Sequence, residues 1–306
     1  MSPTLKVGLV VQGPLISRGR RGSSIRVAHK DLTPSDIVDF NCINTIAENL
    51  SRVGRGIPVA NVVWDDEDDR SLNELRQVVG SAEIVLIQDC TQPIPARDGL
   101  VPANNKYRQI LGVLRGCEVL SEHGCTLVAK VRSDQSIDVA RLLAETEILC
   151  REGFDMILPY FDRQSPKGIS DFYFGGRLEF VAEFCSTFLS SPEKARSVHG
   201  DLYCHLEATA QLRAASLTGT RSRARLLRYR GWEGVGIYSR QLFESTSWRG
   251  ELIESHPEMR FSTEVFGGSG IGRLDFLRST LWDPLRAVAY RVRNAYRCRL
   301  GRSKAR

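Results

Sequence analysis

Hydrophobic positions along this chain follow two rhythms that take turns. Lys6 to Val11 reads Lys-Val-Gly-Leu-Val-Val, a nearly continuous apolar run of the kind a strand buried on both faces needs, and Gln12-Gly13-Pro14 ends it with a turn signal. A Gly- and Arg-rich stretch from Ser17 to Lys30 is too polar to pack and reads as a mobile loop. Thr33-Pro34-Ser35-Asp36 has the composition of a helix start, with Ile37, Phe40, Ile43, Ala47 and Leu50 as the apolar stripe and Gly54 as the stop. The alternation then repeats. Strands are expected at 59–64, 83–88, 126–132 and 156–160, and helices around 72–79, 104–121 and 138–151. In the helix at 104–121, Tyr107, Ile110, Leu111, Leu114 and Cys117 form the apolar side, with Asn105, Arg108, Gly112 and Arg115 opposite.

Strand and helix alternating over about 160 residues predict an α/β fold, a mainly parallel sheet with helices on both faces. Beyond Ser165 the rhythm weakens: one more strand at 171–174 and helices at 178–189 and 202–212 are expected, with irregular Arg-rich and Gly-rich stretches after them. The predicted layout is a nucleotide-binding half over 1–165, a less regular acceptor-binding half over 166–280, and a basic C-terminal helix over 281–306.

Composition narrows the class. With 306 residues, 42% hydrophobic and 25% charged, the chain is neither disordered nor a polytopic membrane protein. No apolar run approaches the ~20 residues of a membrane span, and Lys6 precedes a strand-like run rather than a signal-peptide core. A cytoplasmic location, peripheral to a membrane or free, is the expectation. The net charge of +6 is unevenly placed: eight cations and no acid fall between Pro284 and Arg306, leaving 34 basic against 36 acidic residues over 1–283. A nucleic-acid binder would spread its basic residues over the folded body, so nucleic acid is not the favoured partner. Leu281, Leu285, Val288, Ala289, Val292 and Tyr296 make an apolar stripe beside Arg286, Arg293 and Arg297, which suits either an anionic membrane surface or docking on the body. The closest pair of the eight cysteines, Cys117 and Cys125, is eight positions apart, a spacing that gives no zinc or Cys-x-x-Cys motif and fits reduced thiols.

In an open α/β sheet, ligands bind beyond the carboxyl ends of the strands. The residues found there are Gln12, Gly13 and Pro14, then Asp65, then Asp89, then Arg132, Ser133, Asp134 and Gln135. Lys130, Arg132 and Asp134 alternate along one strand and share a face, and cations within an apolar strand call for anions to meet them. Asp134 at the strand end is a candidate ligand for a divalent metal, Mn²⁺ or Mg²⁺. Asn104, Asn105 and Arg108 near a helix start suit phosphate or ribose recognition, or else serve as caps and an ion pair. The acidic run from Asp65 to Asp69 reads as a solvated face, with Asp65 alone placed to touch a ribose or base.

Taken in order, Gln12-Gly13-Pro14, Trp64, Asn104-Asn105 with Tyr107-Arg108-Gln109, and Lys130-Val131-Arg132-Ser133-Asp134 resemble the WavE-type lipopolysaccharide-synthesis proteins. The order is also similar to the wider GT-A glycosyltransferase pattern, and the resemblance covers roughly residues 6–176, including Asp171-Phe172-Tyr173-Phe174-Gly175. Ser133-Asp134-Gln135 keeps one carboxylate of the full Asp-x-Asp metal motif. The stretch from Ser197 to Glu207 matches the family loosely, with Asp201 and Tyr203 at the acid and tyrosine positions. The resemblance implies a GT-A-like (Rossmann-like) fold and transfer of a sugar from a nucleotide-sugar donor to a glycan or lipid-linked glycan acceptor of a bacterial surface polysaccharide. Gln12, Gly13, Pro14, Asp65, Asn104, Asn105, Arg108, Lys130, Arg132 and Ser133 would bind the donor, and Asp134 the metal. Asp171 and Asp201, with Glu233 behind them, are candidates for the catalytic base. Two alternatives stay open: a sugar nucleotidyltransferase, whose Gly-rich basic loop would be Arg18 to Arg26, and a non-catalytic nucleic-acid-binding module working through the Arg-rich tail.

Overall fold

The computed structural model describes residues 5–20, 37–80, 82–88, 105–162, 172–189, 235–255 and 259–262. Its centre is a seven-stranded sheet. Strand β1 (Val7–Gln12) is followed by a hairpin of β2 (Ile16–Arg20) and β3 (Ile37–Asn41), and then by α1 (Ile43–Ser51). Next come β4 (Val59–Trp64), α2 (Asp69–Val79), β5 (Glu83–Ile87), α3 (Asn105–Glu122) and β6 (Leu127–Arg132). The short β7 (Gln135–Ser136) leads to α4 (Val139–Arg151), β8 (Met156–Leu158) and β9 (Phe161–Asp162). After them stand β10 (Phe174–Arg177), α5 (Leu178–Leu189), β11 (Val235–Ile237) and α6 (Arg240–Glu244). Three two-residue strands, β12 (Ser247–Trp248), β13 (Glu251–Leu252) and β14 (Met259–Arg260), complete the described chain.

Across the main sheet the order is β11-β8-β10-β6-β1-β4-β5. Neighbours run parallel except β10, which is antiparallel to both β6 and β8. The expected α/β fold, a Rossmann-like, mainly parallel sheet with helices on both faces, is what the chain forms. Val10, Val11, Val62, Val63, Val128 and Val131 are buried on both sides of the central strands, which explains the unbroken apolar runs. On one face Ile43 and Ile46 of α1, Leu72 and Leu75 of α2, and Leu142 of α4 pack with Leu9, Val11 and Val131. On the other, Ile110, Val113 and Cys117 of α3 and Val181 and Phe184 of α5 pack with Val10, Val62 and Val128. Asp68 and Asp138 cap α2 and α4 by accepting the Ser71 and Arg141 amides.

Three local readings needed correction. The helix expected from Thr33 begins only at Ile43. Ile37–Asn41 is instead a strand paired antiparallel with Ile16–Arg20, so the polar stretch from Ser17 is a strand at its start. Asn41 Oδ1 accepts the Ile43 amide at 2.9 Å and so marks the change from strand to helix. In α3 the sheet-facing side includes Gly112, expected opposite the apolar stripe, and Gly116: a Cβ on Gly112 would stand 2.6 Å from Gln12 Cγ, and one on Gly116 2.6 Å from both Val10 methyls. These glycines let α3 lie close on β1, and with no side chain they read as polar in the sequence pattern. Finally, the strand expected at 171–174 is Phe174–Arg177 and runs in reverse between β6 and β8. Strands β10 and β11 thus carry chain from beyond Ser165 into the same sheet. The helix expected at 202–212 and the tail at 281–306 lie outside the described residues. Among the described residues no helix is long and apolar enough to cross a membrane.

Candidate functional site

From β1 the sheet grows outward through β4 to β5 and then, after α3, returns to add β6 on the other side of β1. The reversal makes the carboxyl ends of β1 and β6 a topological switch point, the place where such sheets open a crevice for ligands. Gln12 and Arg132 stand opposite each other in register there, and Val62 of β4 is the other neighbour of Gln12.

The turn after β1 is tightly fastened. Gly13 has φ +145, its amide donates to Val62 O at 3.3 Å, and a Cβ on it would stand 2.3 Å from Ser133 Oγ. Ser133 donates its hydroxyl to Pro14 O at 2.8 Å and its amide to Gln12 O at 2.9 Å. Ser133 is buried, so its role is to bind the β1 turn to the end of β6. Glu67 Oε1 accepts the Leu15 amide at 2.9 Å from the loop after β4, and burial pushes its carboxyl up. Gln12 packs against Gly112 and is itself buried, with Oε1 lacking a hydrogen-bond partner among the described residues. Such an acceptor is costly unless a ligand or water donates to it.

On the α3 side, the guanidinium of Arg108 lies over the Trp64 ring at 4.7 Å from its centroid and pairs with Asp66 at 3.4 Å. Trp64 is buried and fixes the guanidinium plane, while Arg108 keeps part of its side chain exposed. Asp65 is exposed in the turn after β4, its amide donating to Ile87 O at 3.1 Å.

Asp134 is buried to 1% exposure and lies at the centre of a ring of donors. Arg132 grips it with Nε to Oδ1 at 2.8 Å and Nη2 to Oδ2 at 2.9 Å. Oδ2 also accepts from Ser17 Oγ at 2.9 Å and Trp248 Nε1 at 3.0 Å, and Arg249 Nε stands 3.3 Å away. Burial alone would push this carboxyl up, but the charge and hydrogen bonds of Arg132, the charge of Arg249 and the Trp248 indole more than offset it, holding it well below the ordinary carboxylate range. Beside it, burial and the Asp134 charge push the Cys42 thiol up to about 12, so this buried cysteine is no nucleophile.

The structure therefore brings together Gln12, Gly13, Pro14, Arg108, Arg132, Ser133 and Asp134 at the strand ends, with Asp65 at the rim. Lys130 is set deeper: it is fully buried, with Nζ 3.4 Å from Phe172 O and 5.2 Å from the centroid of the Phe174 ring, between the sheet and the α3/α5 layer. Asn105 opens α3. Asn104, Asp171, Asp201 and Glu233 lie outside the described residues. Sequence reasoning missed Ser17, Glu67, Trp248 and Arg249. Trp248 and Arg249 belong to a two-residue-strand hairpin, too short for a periodicity signal, and Ser17 fell in a stretch read as loop.

A divalent cation does not fit Asp134 in this arrangement. Oδ2 is taken up by donors, Oδ1 accepts Arg132 Nε, two guanidinium groups stand against the carboxylate, and among the described residues no three His, Cys, Asp or Glu side chains gather where a metal ion could be held.

No protein-family model matches the sequence, and no curated protein matches it, so the likeness to the WavE-type proteins has no family-level support. Among solved structures, a cytidylyltransferase from Leptospira borgpetersenii serovar Hardjo-bovis is similar at 16% identity and a TM-score of 0.35, over 60% of this chain and 65% of that one. This chain thus spans just under two thirds of that protein. A 4-diphosphocytidyl-2C-methyl-D-erythritolsynthase from Anaerococcus prevotii is similar at 11% identity and a TM-score of 0.40, over 85% of this chain and 92% of that one. At these values neither speaks to what this chain binds.

Proposed function

We propose that this chain is a transferase acting on a sugar nucleotide held across the carboxyl ends of β1, β4 and β6. The observation that carries the reading is the switch point itself, where Gln12, whose buried Oε1 has no hydrogen-bond partner among the described residues, stands in register beside Arg132. A base N–H or a ribose hydroxyl is the donor that acceptor calls for, and the guanidinium of Arg108 on its Trp64 platform suits a phosphate.

Two chemistries use such a site. In nucleotidyl transfer, an oxygen of a sugar 1-phosphate attacks the α-phosphorus of a nucleoside triphosphate, the bond to the β-phosphate bridge oxygen breaks, and pyrophosphate leaves. In glycosyl transfer, an acceptor hydroxyl attacks the anomeric carbon, loses its proton to a base, and the nucleoside diphosphate leaves. Both build negative charge on phosphate oxygens, and cations at the strand ends stabilise it. Nucleotidyl transfer is the reading we favour. That class carries Gly and Arg residues soon after its first strand, and here β1 is followed by Gly13-Pro14 and then by the hairpin strand Ile16–Arg20, whose sequence is Ile-Ser-Arg-Gly-Arg. Glycosyl transfer, toward a surface polysaccharide or lipopolysaccharide acceptor, is the second reading and rests on the ordered strand-end residues that resemble the glycosyltransferase pattern. The tail at 281–306 would then serve an anionic membrane surface.

The test is a product assay. The protein is incubated with each nucleoside triphosphate and a panel of sugar 1-phosphates while pyrophosphate is followed, and separately with nucleotide sugars while nucleoside diphosphate is followed. Pyrophosphate release that depends on one triphosphate and one sugar phosphate is the expected result. Diphosphate release from a nucleotide sugar, with no pyrophosphate in the first assay, replaces it with the second reading. Silence in both assays, with no nucleotide bound, removes both.

A further inference from the structure

The likeness to the Asp-x-Asp pattern assigns Asp134 to a metal, but its surroundings assign it something else. We propose that Asp134 is the pin of a metal-independent strand-end site: its carboxylate holds Arg132 and Arg249 in place and joins β6, β2 and the β12–β13 hairpin, and guanidinium groups rather than a divalent cation meet the ligand's phosphates.

Three observations converge on this. The first is occupancy. An ionised carboxylate offers about four lone-pair directions. Arg132 takes two of them in a bidentate grip, and the Ser17 hydroxyl and Trp248 indole donate to the same Oδ2 that Arg249 faces. A cation at Oδ2 would have to displace these donors, and a cation at either oxygen would stand beside two positive charges in a buried place, where repulsion is weakly screened.

The second is connection. Ser17 comes from the hairpin after β1, Arg132 from the last residue of β6, and Trp248 with Arg249 from a hairpin more than a hundred residues later. The Arg249 amide also donates to Asp134 O at 2.9 Å, and its Nη2 donates to Ser17 Oγ at 3.0 Å. Strand β12 pairs with β7, immediately after Asp134, so the backbone ladder and the side-chain clamp fasten the same junction.

The third is backbone cost. Arg249 and Gly250 have φ of 50 and 83, the pattern of a tight two-residue hairpin turn whose first position suits Gly, Asn or Asp. An arginine there adopts a conformation that its side chain disfavours. It is held over the Trp248 ring at 4.7 Å, against Ser17 and Asp134. The turn keeps a cation where a smaller residue would sit more easily.

In this arrangement Asp134 is a positioning residue. It sets the direction of the Arg132 guanidinium, which keeps about a quarter of its side chain exposed at the end of β6, opposite Gln12. The part of the proposal that concerns phosphates rests on the nucleotide reading above; the part that concerns metal does not.

Manganese alone is titrated into the chelator-washed full chain and followed by electron paramagnetic resonance. The manganese signal stays that of the free ion if Asp134 is clamped. Stoichiometric binding that disappears in Asp134→Asn overturns the proposal. In parallel, Asp134→Asn lowers Tm by on the order of 10 °C, equally in chelator and in manganese, as expected for a broken buried ion pair; a fall seen only in manganese contradicts it. Should Asp134→Asn fail to fold, Arg249→Gln decides: a clamp loses thermal stability, whereas a metal ligand relieved of a neighbouring cation gains manganese affinity. For the phosphates, CTP and UDP are titrated in chelator. Metal-free binding that weakens at least tenfold in Arg132→Gln supports the proposal, and binding that requires manganese sinks it. If neither nucleotide binds, the phosphate half falls with the nucleotide reading while the manganese titration still judges the clamp.

Discussion

Asp134 concentrates the energetics of the site in one side chain. A carboxylate buried this deeply is tolerated because two guanidiniums, an indole and a hydroxyl meet it, and removing one partner of such a group costs about 3–5 kcal/mol. Its folded-state pKa lies below the unfolded value, so the ionised form stabilises the fold. That contribution is complete above the unfolded carboxyl pKa, roughly 4, and is lost progressively as the pH falls below it. Glu67 works in the opposite direction: burial raises its pKa, so protonation favours the fold as the pH falls through the same range, although its half-buried position makes this the smaller effect. Chemical unfolding measured from neutral pH down toward pH ~2 therefore shows stability falling in acid for the natural chain. The same profile is flatter for Asp134→Asn, which starts lower. Equal acid slopes for the two proteins would mean that Asp134 does not supply the acid-sensitive stability.

Elements were legible where their signal was local and periodic. The central strands were predicted within a residue or two because burial on both faces leaves an unbroken apolar run, and α5 and α4 because their stripes and the Asp138 cap lie within the element. What failed had non-local causes. Ile37–Asn41 carries an apolar spacing that also suits a helix, and its pairing with Ile16–Arg20, some twenty residues earlier, makes it a strand. The helix α3 was predicted without the Gly112 and Gly116 side that lies on β1, because these residues contribute contact through the absence of a side chain. A Cβ at Gly116 meets both methyls of Val10, so Gly116→Ala pushes α3 off β1 at a cost of about 1–3 kcal/mol. Thermal or denaturant unfolding checks this, and an unchanged midpoint would mean that the helix is free to shift. The same contrast runs through the candidate site. Gln12, Gly13, Arg132 and Ser133 could be found because they follow strands, whereas Trp248 and Arg249 arrive from a distant hairpin and only the folded chain reveals them.

At the scale of the whole molecule, the sheet explains why the chemistry gathers where it does. Reversal of the chain about β1 leaves the ends of β1 and β6 side by side, and α3 packs so close on β1 that Arg108 reaches the end of β4. The arginine clamp, the Gln12 acceptor and the Trp64–Arg108 platform are three outcomes of one topology. The central claim is that a nucleotide binds among them, and calorimetric titration of CTP, UTP, UDP, GDP and CMP against the full chain, Gln12→Ala and Arg108→Ala tests it most directly. The account predicts that one nucleotide class binds the natural chain and that each substitution weakens it by roughly tenfold or more, about 1.4 kcal/mol. Binding that neither substitution alters, or no binding of any nucleotide, would contradict it.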